Sequence, residues 1–300
     1  MKLFRYLLIF FLPIVIFVLV AEYLARPILK DDNAYYMATI DKEQRLATLP
    51  SPRIIFVGPS SLAFGIDSRV IEKQLNRNVV NMGLTVELGL SFMLNEAAAS
   101  IRSGDIIIFS PEYYLSGGNK KVQSFLADYN PNAINYLPNS ISDRALYAIC
   151  KCQRIASNLF YHYATKNQIY LRHVFNEYGD NVLNYDSTST YVDGAPILRS
   201  VNYAKETNEI NDFVQKCHAR NARVYVSYPP CSYTYYKTNK AAIVAFDSIL
   251  RKNVQCKFLD SIDTYVFPNS YFFDYSEHLN YTGRTAKTEK MVTLLKANIK

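Results

Sequence analysis

The chain has 300 residues, of which 49% are hydrophobic and 20% are charged. These proportions are those of a folded globular protein with a sizeable core, and they exclude a chain that is disordered throughout. The formal net charge is +7, but the lysines and arginines are spread along the sequence. Because a nucleic-acid binder needs a clustered basic surface, we expect no nucleic acid as a partner.

The N-terminal segment, residues 1–28, is typical of a membrane-directed sequence. Lys2 and Arg5 precede an uncharged run from Tyr6 to Ala21. Such a pattern fits a cleaved signal peptide or a single-pass anchor. The cleavage sites near the end of the run lack a small residue at position −3, so we favour the anchor. The positive N-terminal flank predicts that the main domain lies outside the cytoplasm, in the periplasm.

Residues 29–52 are interpreted as a polar connector, and residues 53–300 as one α/β domain. Short apolar runs predict buried parallel strands, and the amphipathic stretches between them predict helices. Strands are predicted at 53–58, 78–83, 105–110, 222–230 and 256–260, and helices at about 67–76, 88–101, 209–219, 241–252 and 282–299. Their alternation predicts a three-layer α/β fold, a doubly wound parallel sheet with helices on both faces.

The alternation breaks at about residues 113–202, which are rich in Tyr, Asn and Ser. We interpret this segment as an insertion of helices and loops above the carboxyl edge of the sheet, where ligands bind in such folds. Five tyrosines fall near predicted loop edges, where their rings could stack on sugars or could simply pack at half-buried surfaces. They are Tyr113, Tyr114, Tyr233, Tyr235 and Tyr236.

Polar residues and glycines follow the predicted strands. Ser60, in "GPSSLAFGID" (58–67), lies in a turn after the first strand and near helix N-terminal amides, which suits a nucleophile. Gly83 follows the second strand and could bring a second N–H to an oxyanion. Asp274 and His278, in "FFDYSEHLNYTGR" (272–284), would supply an acid and a base, with His173 as the other candidate base. Alternatively, Ser60 is a turn residue and the last stretch only caps a helix.

Together these blocks resemble the SGNH (GDSL-type) hydrolase superfamily, and more narrowly its membrane-anchored exopolysaccharide-biosynthesis and acyl-transfer branch. The resemblance covers roughly residues 53–112 and 222–300, and "FNEYGD" (175–180) is also similar to that branch. It implies a flavodoxin-like SGNH fold and a catalytic triad in which Ser60 is the nucleophile, His278 the base and Asp274 the acid that orients it. It also implies an oxyanion hole formed by the N–H groups of Ser60 and Gly83, and neither a metal nor a cofactor.

Three features depart from the superfamily pattern, and one of them is Pro59 in the first block. The third block, which supplies an Asn side chain, is matched here by Ser110-Pro111-Glu112-Tyr113, and an ionised Glu cannot donate a hydrogen bond. Asp274 also precedes His278 by four residues, whereas the usual spacing is three. A replacement donor would have to come from Ser110, Asn81 or the insertion. The candidate substrate-binding residues are Asn81, Ser110, Glu112, Tyr113 and Asn280.

The sequence therefore predicts an extracytoplasmic serine esterase or O-acyltransferase that acts on acyl groups, chiefly acetyl, of a cell-envelope polysaccharide. The resemblance adds a membrane acyltransferase as a partner, and the N-terminal segment adds the membrane itself. The departures leave a second hypothesis open, a catalytically inactive module that binds polysaccharide or such a membrane partner.

Overall fold

The computed structural model of the protein describes residues 33–160, 170–182, 197–198 and 201–299, with scattered positions between 4 and 23. Within these residues, no helix is both long enough and apolar enough to cross a bilayer. Most of the anchor predicted for residues 1–28 lies outside the described residues, so the anchor stays a prediction.

The centre of the described fold is a five-stranded sheet in which every pair of neighbouring strands is parallel. The strands in chain order are β1 (Arg53–Val57), β2 (Asn78–Asn81), β3 (Ile106–Phe109), β4 (Arg223–Val226), β5 (Cys231–Ser232), β6 (Lys257–Phe258) and β7 (Val266–Phe267). The sheet order is β2-β1-β3-β4-β6, while β5 and β7 form a separate parallel pair. Each sheet strand lies inside a range predicted from the sequence.

Helices cover both faces of this sheet. The α-helices of the described residues are α1 (Ala38–Thr48), α2 (Ser60–Ala63), α3 (Ser68–Leu75), α4 (Leu90–Ala99), α5 (Lys120–Tyr129), α6 (Ile141–Phe160), α7 (Ala204–Ala219), α8 (Tyr233–Asn253) and α9 (Tyr281–Asn298). Of these, α5 and α6 pack in a separate cluster beside the sheet. Ile55 and Val57 of β1 pack in the core formed with α4, α7 and α8. Ile54 and Phe56 pack on the other side, against α3 and α9. Since alternate residues of a strand point to opposite faces, this arrangement explains the continuous apolar runs of the sequence.

Parts of the chain differ from the sequence prediction. The interpreted connector, residues 29–52, contains α1, whose Leu46 lies in the core and whose buried Lys42 donates a hydrogen bond to the Asn81 carbonyl. Helix α8 begins at Tyr233, eight residues before its predicted start at 241. The Ser232 hydroxyl accepts a hydrogen bond from the Tyr235 N–H at 3.2 Å and caps this earlier end.

Candidate active site

Ser60 lies at the carboxyl edge of the sheet, just after the end of β1. Strand β1 lies between β2 and β3, so its end is a point where ligands bind in doubly wound sheets. Gly58 makes the turn possible, because a Cβ at this position would lie 2.3 Å from the Ser110 carbonyl oxygen. The backbone then enters α2 with Ser60 as the first residue of that helix.

Three side chains from distant parts of the sequence form a chain of hydrogen bonds at this edge. The Ser60 Oγ lies 2.9 Å from the His278 Nε2, and the His278 Nδ1 lies 2.9 Å from an Asp274 oxygen. Ser60 and His278 are 218 residues apart in the sequence. If the imidazole donates its Nδ1–H to Asp274, its Nε2 is free to accept the Ser60 proton.

Asp274 is held in its ionised form. Burial raises the pKa of this carboxyl, but the hydrogen bonds from His278 and Tyr170 and the charge of His278 outweigh burial and lower the pKa below its ordinary value. The Tyr170 hydroxyl donates to the Asp274 Oδ2 at 2.7 Å. Tyr170 belongs to the insertion, which therefore contributes a residue to the site.

The imidazole is fixed by packing as well as by hydrogen bonds. Phe64, from the end of α2, stacks on His278 with ring centroids 4.3 Å apart and ring planes at 12°. The His278 N–H donates to the Tyr275 carbonyl, so the chain turns between Asp274 and His278 and their side chains meet despite the four-residue spacing.

The stretch 272–284 also caps a helix. The Asn280 side-chain oxygen accepts a hydrogen bond from the Gly283 N–H at 3.1 Å, which caps α9, and the Asn280 amide donates to the Ser270 carbonyl. The stretch therefore caps α9 and also brings His278 to Ser60. The other candidate base, His173, is exposed, and its Nδ1 lies 3.0 Å from the Asn33 side chain.

The Gly83 N–H, expected as an oxyanion donor, already has an acceptor. It donates to the Asn81 Oδ1 at 2.9 Å. The Asn81 amide in turn donates to the Leu62 carbonyl and to Asp180. A Cβ on Gly83 would lie 2.6 Å from the Leu62 Cβ, so the glycine allows β2 to approach α2 closely. In this structure, Gly83 and Asn81 therefore position the helix that carries Ser60.

The remaining candidate residues either lie buried in the interior or line the cavity beside Ser60. Tyr113 is buried in the core, where it stacks on Tyr228, and Ser110 is buried at the end of β3. These positions do not reach the site, because the loop after β3 turns both side chains into the interior. Tyr235 is likewise buried in α8 rather than lying at a loop edge. Of the five candidate substrate-binding residues, Glu112 alone lines the cavity that contains Ser60 and His278.

This cavity has a volume of about 300 Å³. Besides Ser60 and His278, it is lined by tyrosines, glutamates and a short apolar segment, namely Tyr35, Tyr36, Tyr114, Tyr170, Tyr275, Glu87, Glu112, Glu277, Leu84, Thr85 and Val86. Most of these residues were not predicted from the sequence. Tyr35 and Tyr170 lie in segments without a recognisable pattern, whereas Glu277 could have been found from its position beside His278.

Comparison with known proteins gives little similarity. No protein-family model matches the chain, and no match was found among curated proteins. The chain is similar to a solved structure described as "a putative platelet activating factor from Streptococcus pneumonia", with 11% identity, a TM-score of 0.38, and coverage of 88% of this chain and 91% of that one. The function is therefore inferred from the site itself.

Proposed function

We propose that the protein is an extracytoplasmic serine esterase or O-acyltransferase of the SGNH type, acting on acyl groups, chiefly acetyl, of a cell-envelope polysaccharide. The observation that carries this proposal is the hydrogen-bond chain from Ser60 through His278 to Asp274, with both distances at 2.9 Å. A hydroxyl paired with an imidazole that is itself oriented by a carboxylate is the arrangement that activates a serine nucleophile.

In the proposed reaction, the Ser60 Oγ attacks the carbonyl carbon of an ester while the His278 Nε2 takes the Ser60 proton. The tetrahedral adduct collapses, the bond to the alcohol breaks, and the imidazolium gives its proton to the departing alcohol. Water then attacks the acyl-serine in an esterase, or a sugar hydroxyl does so in a transferase. His278 takes the proton of this second nucleophile and returns it to Ser60. Asp274 stays ionised and stabilises the imidazolium throughout.

Stabilisation of the oxyanion is the weaker part of this site. The Ser60 N–H, at the start of α2, is one candidate donor, but the Gly83 N–H is bonded to Asn81. Loss of one oxyanion donor typically costs about 10²–10³ in rate, so we expect slow turnover. The same observation favours a second candidate function, an inactive module that binds polysaccharide or a membrane acyltransferase.

The cellular setting belongs to the proposal as well. Residues 1–28 would anchor the chain in the membrane with its main domain in the periplasm, close to envelope glycans and to a membrane acyltransferase. This setting follows from the charged and apolar pattern of the N-terminus.

Hydrolysis of p-nitrophenyl acetate by the purified full chain tests the reaction. We expect activity that is lost in Ser60→Ala and in His278→Ala. Ser61→Ala is the matched control, because Ser61 is the neighbouring hydroxyl and its buried Oγ has no hydrogen-bond partner among the described residues. Adding an oligosaccharide acceptor separates the two reactions, since a transferase forms acetylated sugar at the expense of free acetate. Equal activity in wild type and Ser60→Ala would contradict the proposal.

A further inference from the structure

The cavity beside Ser60 and His278 is acidic, although the chain as a whole carries a net charge of +7. Glu87, Glu112 and Glu277 line it, and its described lining includes no Lys or Arg. When these carboxyl groups are ionised, the cavity has a local potential opposite in sign to the overall charge of the protein. Such a pocket attracts a positively charged group.

Two of these carboxyl groups each have one buried oxygen without a hydrogen-bond partner among the described residues. Glu112 and Glu277 are each only 5% exposed. The Glu112 Oε2 and the Glu277 Oε1 are buried and accept no hydrogen bond from any residue that the structure describes. Burial raises the pKa of Glu112 although a hydrogen bond with Tyr114 opposes this shift, and burial together with the nearby Glu112 raises the pKa of Glu277. Ionising a buried carboxyl that has an oxygen without a partner is costly, and a bound cation would offset that cost.

Aromatic rings complete the lining. Five tyrosines border the cavity. Four of their hydroxyls are engaged within the protein, since Tyr35 donates to the Leu84 carbonyl, Tyr36 to Glu87, Tyr114 to Glu112 and Tyr170 to Asp274. Because these hydroxyls are occupied, the rings are what these tyrosines can offer to a ligand. Tyrosine rings attract ammonium groups through their negative faces.

We propose that the substrate carries a positively charged ammonium group, which binds beside Glu112 and Glu277 and against the tyrosine rings while the ester lies at Ser60. The position of the ester rests on the proposed function, but binding of the ammonium group does not require catalysis. An amino sugar and an aminoacyl ester both supply this chemistry.

The test is calorimetric titration of the full-length Ser60→Ala variant, which lacks the nucleophile. The probes are choline and 3,3-dimethylbutanol, which have nearly the same shape but differ in charge. We expect choline to bind at least about tenfold more tightly, as a desolvated cation held by carboxylates and aromatic rings should. Glucosamine and glycine methyl ester are titrated as two further probes. Tighter binding of glucosamine would indicate an ammonium group on the sugar, and tighter binding of glycine methyl ester one on the acyl group.

Substitutions connect this preference to the cavity. Adding Glu277→Gln or Glu112→Gln to Ser60→Ala should reduce the ratio of choline to 3,3-dimethylbutanol affinity at least about tenfold. Glu289→Gln makes the same change of charge at an exposed position on α9, so it should leave the ratio unchanged. Circular dichroism checks that each variant is folded. If one of the two glutamate variants does not fold, the other still tests the inference.

Equal binding of choline and 3,3-dimethylbutanol would overturn the inference, as would a choline preference that survives both glutamate substitutions. Because Ser60→Ala cannot react, this result is separate from the fate of the proposed function. An enzyme that hydrolyses neutral esters at Ser60 but shows no preference for ammonium would keep the function and lose the inference.

Discussion

Replacing Tyr170 with Phe removes one hydrogen bond from the triad and leaves the ring in place. The lost bond is the 2.7 Å contact from the Tyr170 hydroxyl to the Asp274 Oδ2. A hydrogen bond to a charged group contributes about 1.5–3 kcal/mol. The Asp274 side chain is 24% exposed, so water can replace part of the bond and the lower value applies. Because about 1.4 kcal/mol corresponds to a tenfold change in rate, we expect Tyr170→Phe to lower kcat about tenfold.

The pH profile gives a second, independent measure of the same change. Since the Tyr170 hydrogen bond helps to lower the pKa of Asp274, its loss raises that pKa. The carboxylate is then protonated at a higher pH, so the loss of kcat/KM that follows protonation of Asp274 should begin at a higher pH. We expect KM to change little, because the ring of residue 170 still packs against Tyr35 and Phe64.

Steady-state kinetics of Tyr170→Phe and Tyr178→Phe with p-nitrophenyl acetate measure both effects. Tyr178 is the matched control, because its hydroxyl donates a bond of the same kind to Glu72 at 3.0 Å, outside the residues that line the site. Unchanged kcat and pH profile in a folded Tyr170→Phe protein would refute the role given to Tyr170. An equal loss in Tyr178→Phe would show that the effect is one of general stability.

Further predictions concern stability. Gly83→Ala should lower the free energy of unfolding by about 1–3 kcal/mol in urea, because the new Cβ would clash with Leu62. Gly117→Ala is the control, since its Cβ would contact no other atom of the described residues, and it should leave urea unfolding unchanged. Glu277→Gln should raise Tm at pH 7 but not at pH 4. The raised pKa of the Glu277 carboxyl destabilises the fold only at a pH above the pKa of Glu in the unfolded chain, which is about 4.3. An equal Tm of the variant and the wild type at pH 7 would contradict this. Arg53→Met should cost about 3–5 kcal/mol in urea unfolding, because it leaves Asp105 buried without its ion-pair partner, and a loss below 1 kcal/mol would contradict this.

The parallel sheet and the proximity of Ser60 to His278 could be predicted from the sequence. Strands β1 and β3 are continuous apolar runs because both of their faces are covered, and such runs are recognisable locally. The carboxyl ends of parallel strands share one edge, so a serine after the first strand and a histidine before the last helix can meet although 218 residues separate them.

The residues that the sequence did not reveal depend on contacts between distant segments. Tyr170 reaches Asp274 from a position in the insertion that lies outside helices α5 and α6, so no helical pattern in the sequence places it. The position of Gly83 after a strand predicted that its N–H could bind an oxyanion. In the folded chain, this N–H instead donates to the Asn81 side chain. Tyr113 was expected at a loop edge, and its burial follows from stacking on Tyr228, which belongs to the loop after β4.

Labelling with a fluorophosphonate tests the central claim most directly, because this reagent reacts with activated serines. The full chain, Ser60→Ala and His278→Ala would be treated in parallel, and mass spectrometry would locate the modified residue. We predict a phosphonyl group on Ser60 in the wild type and no labelling in either variant. A folded wild-type protein that stays unlabelled, or labelling that persists in Ser60→Ala, would contradict the claim that His278 and Asp274 activate Ser60, and would direct attention to the binding module instead.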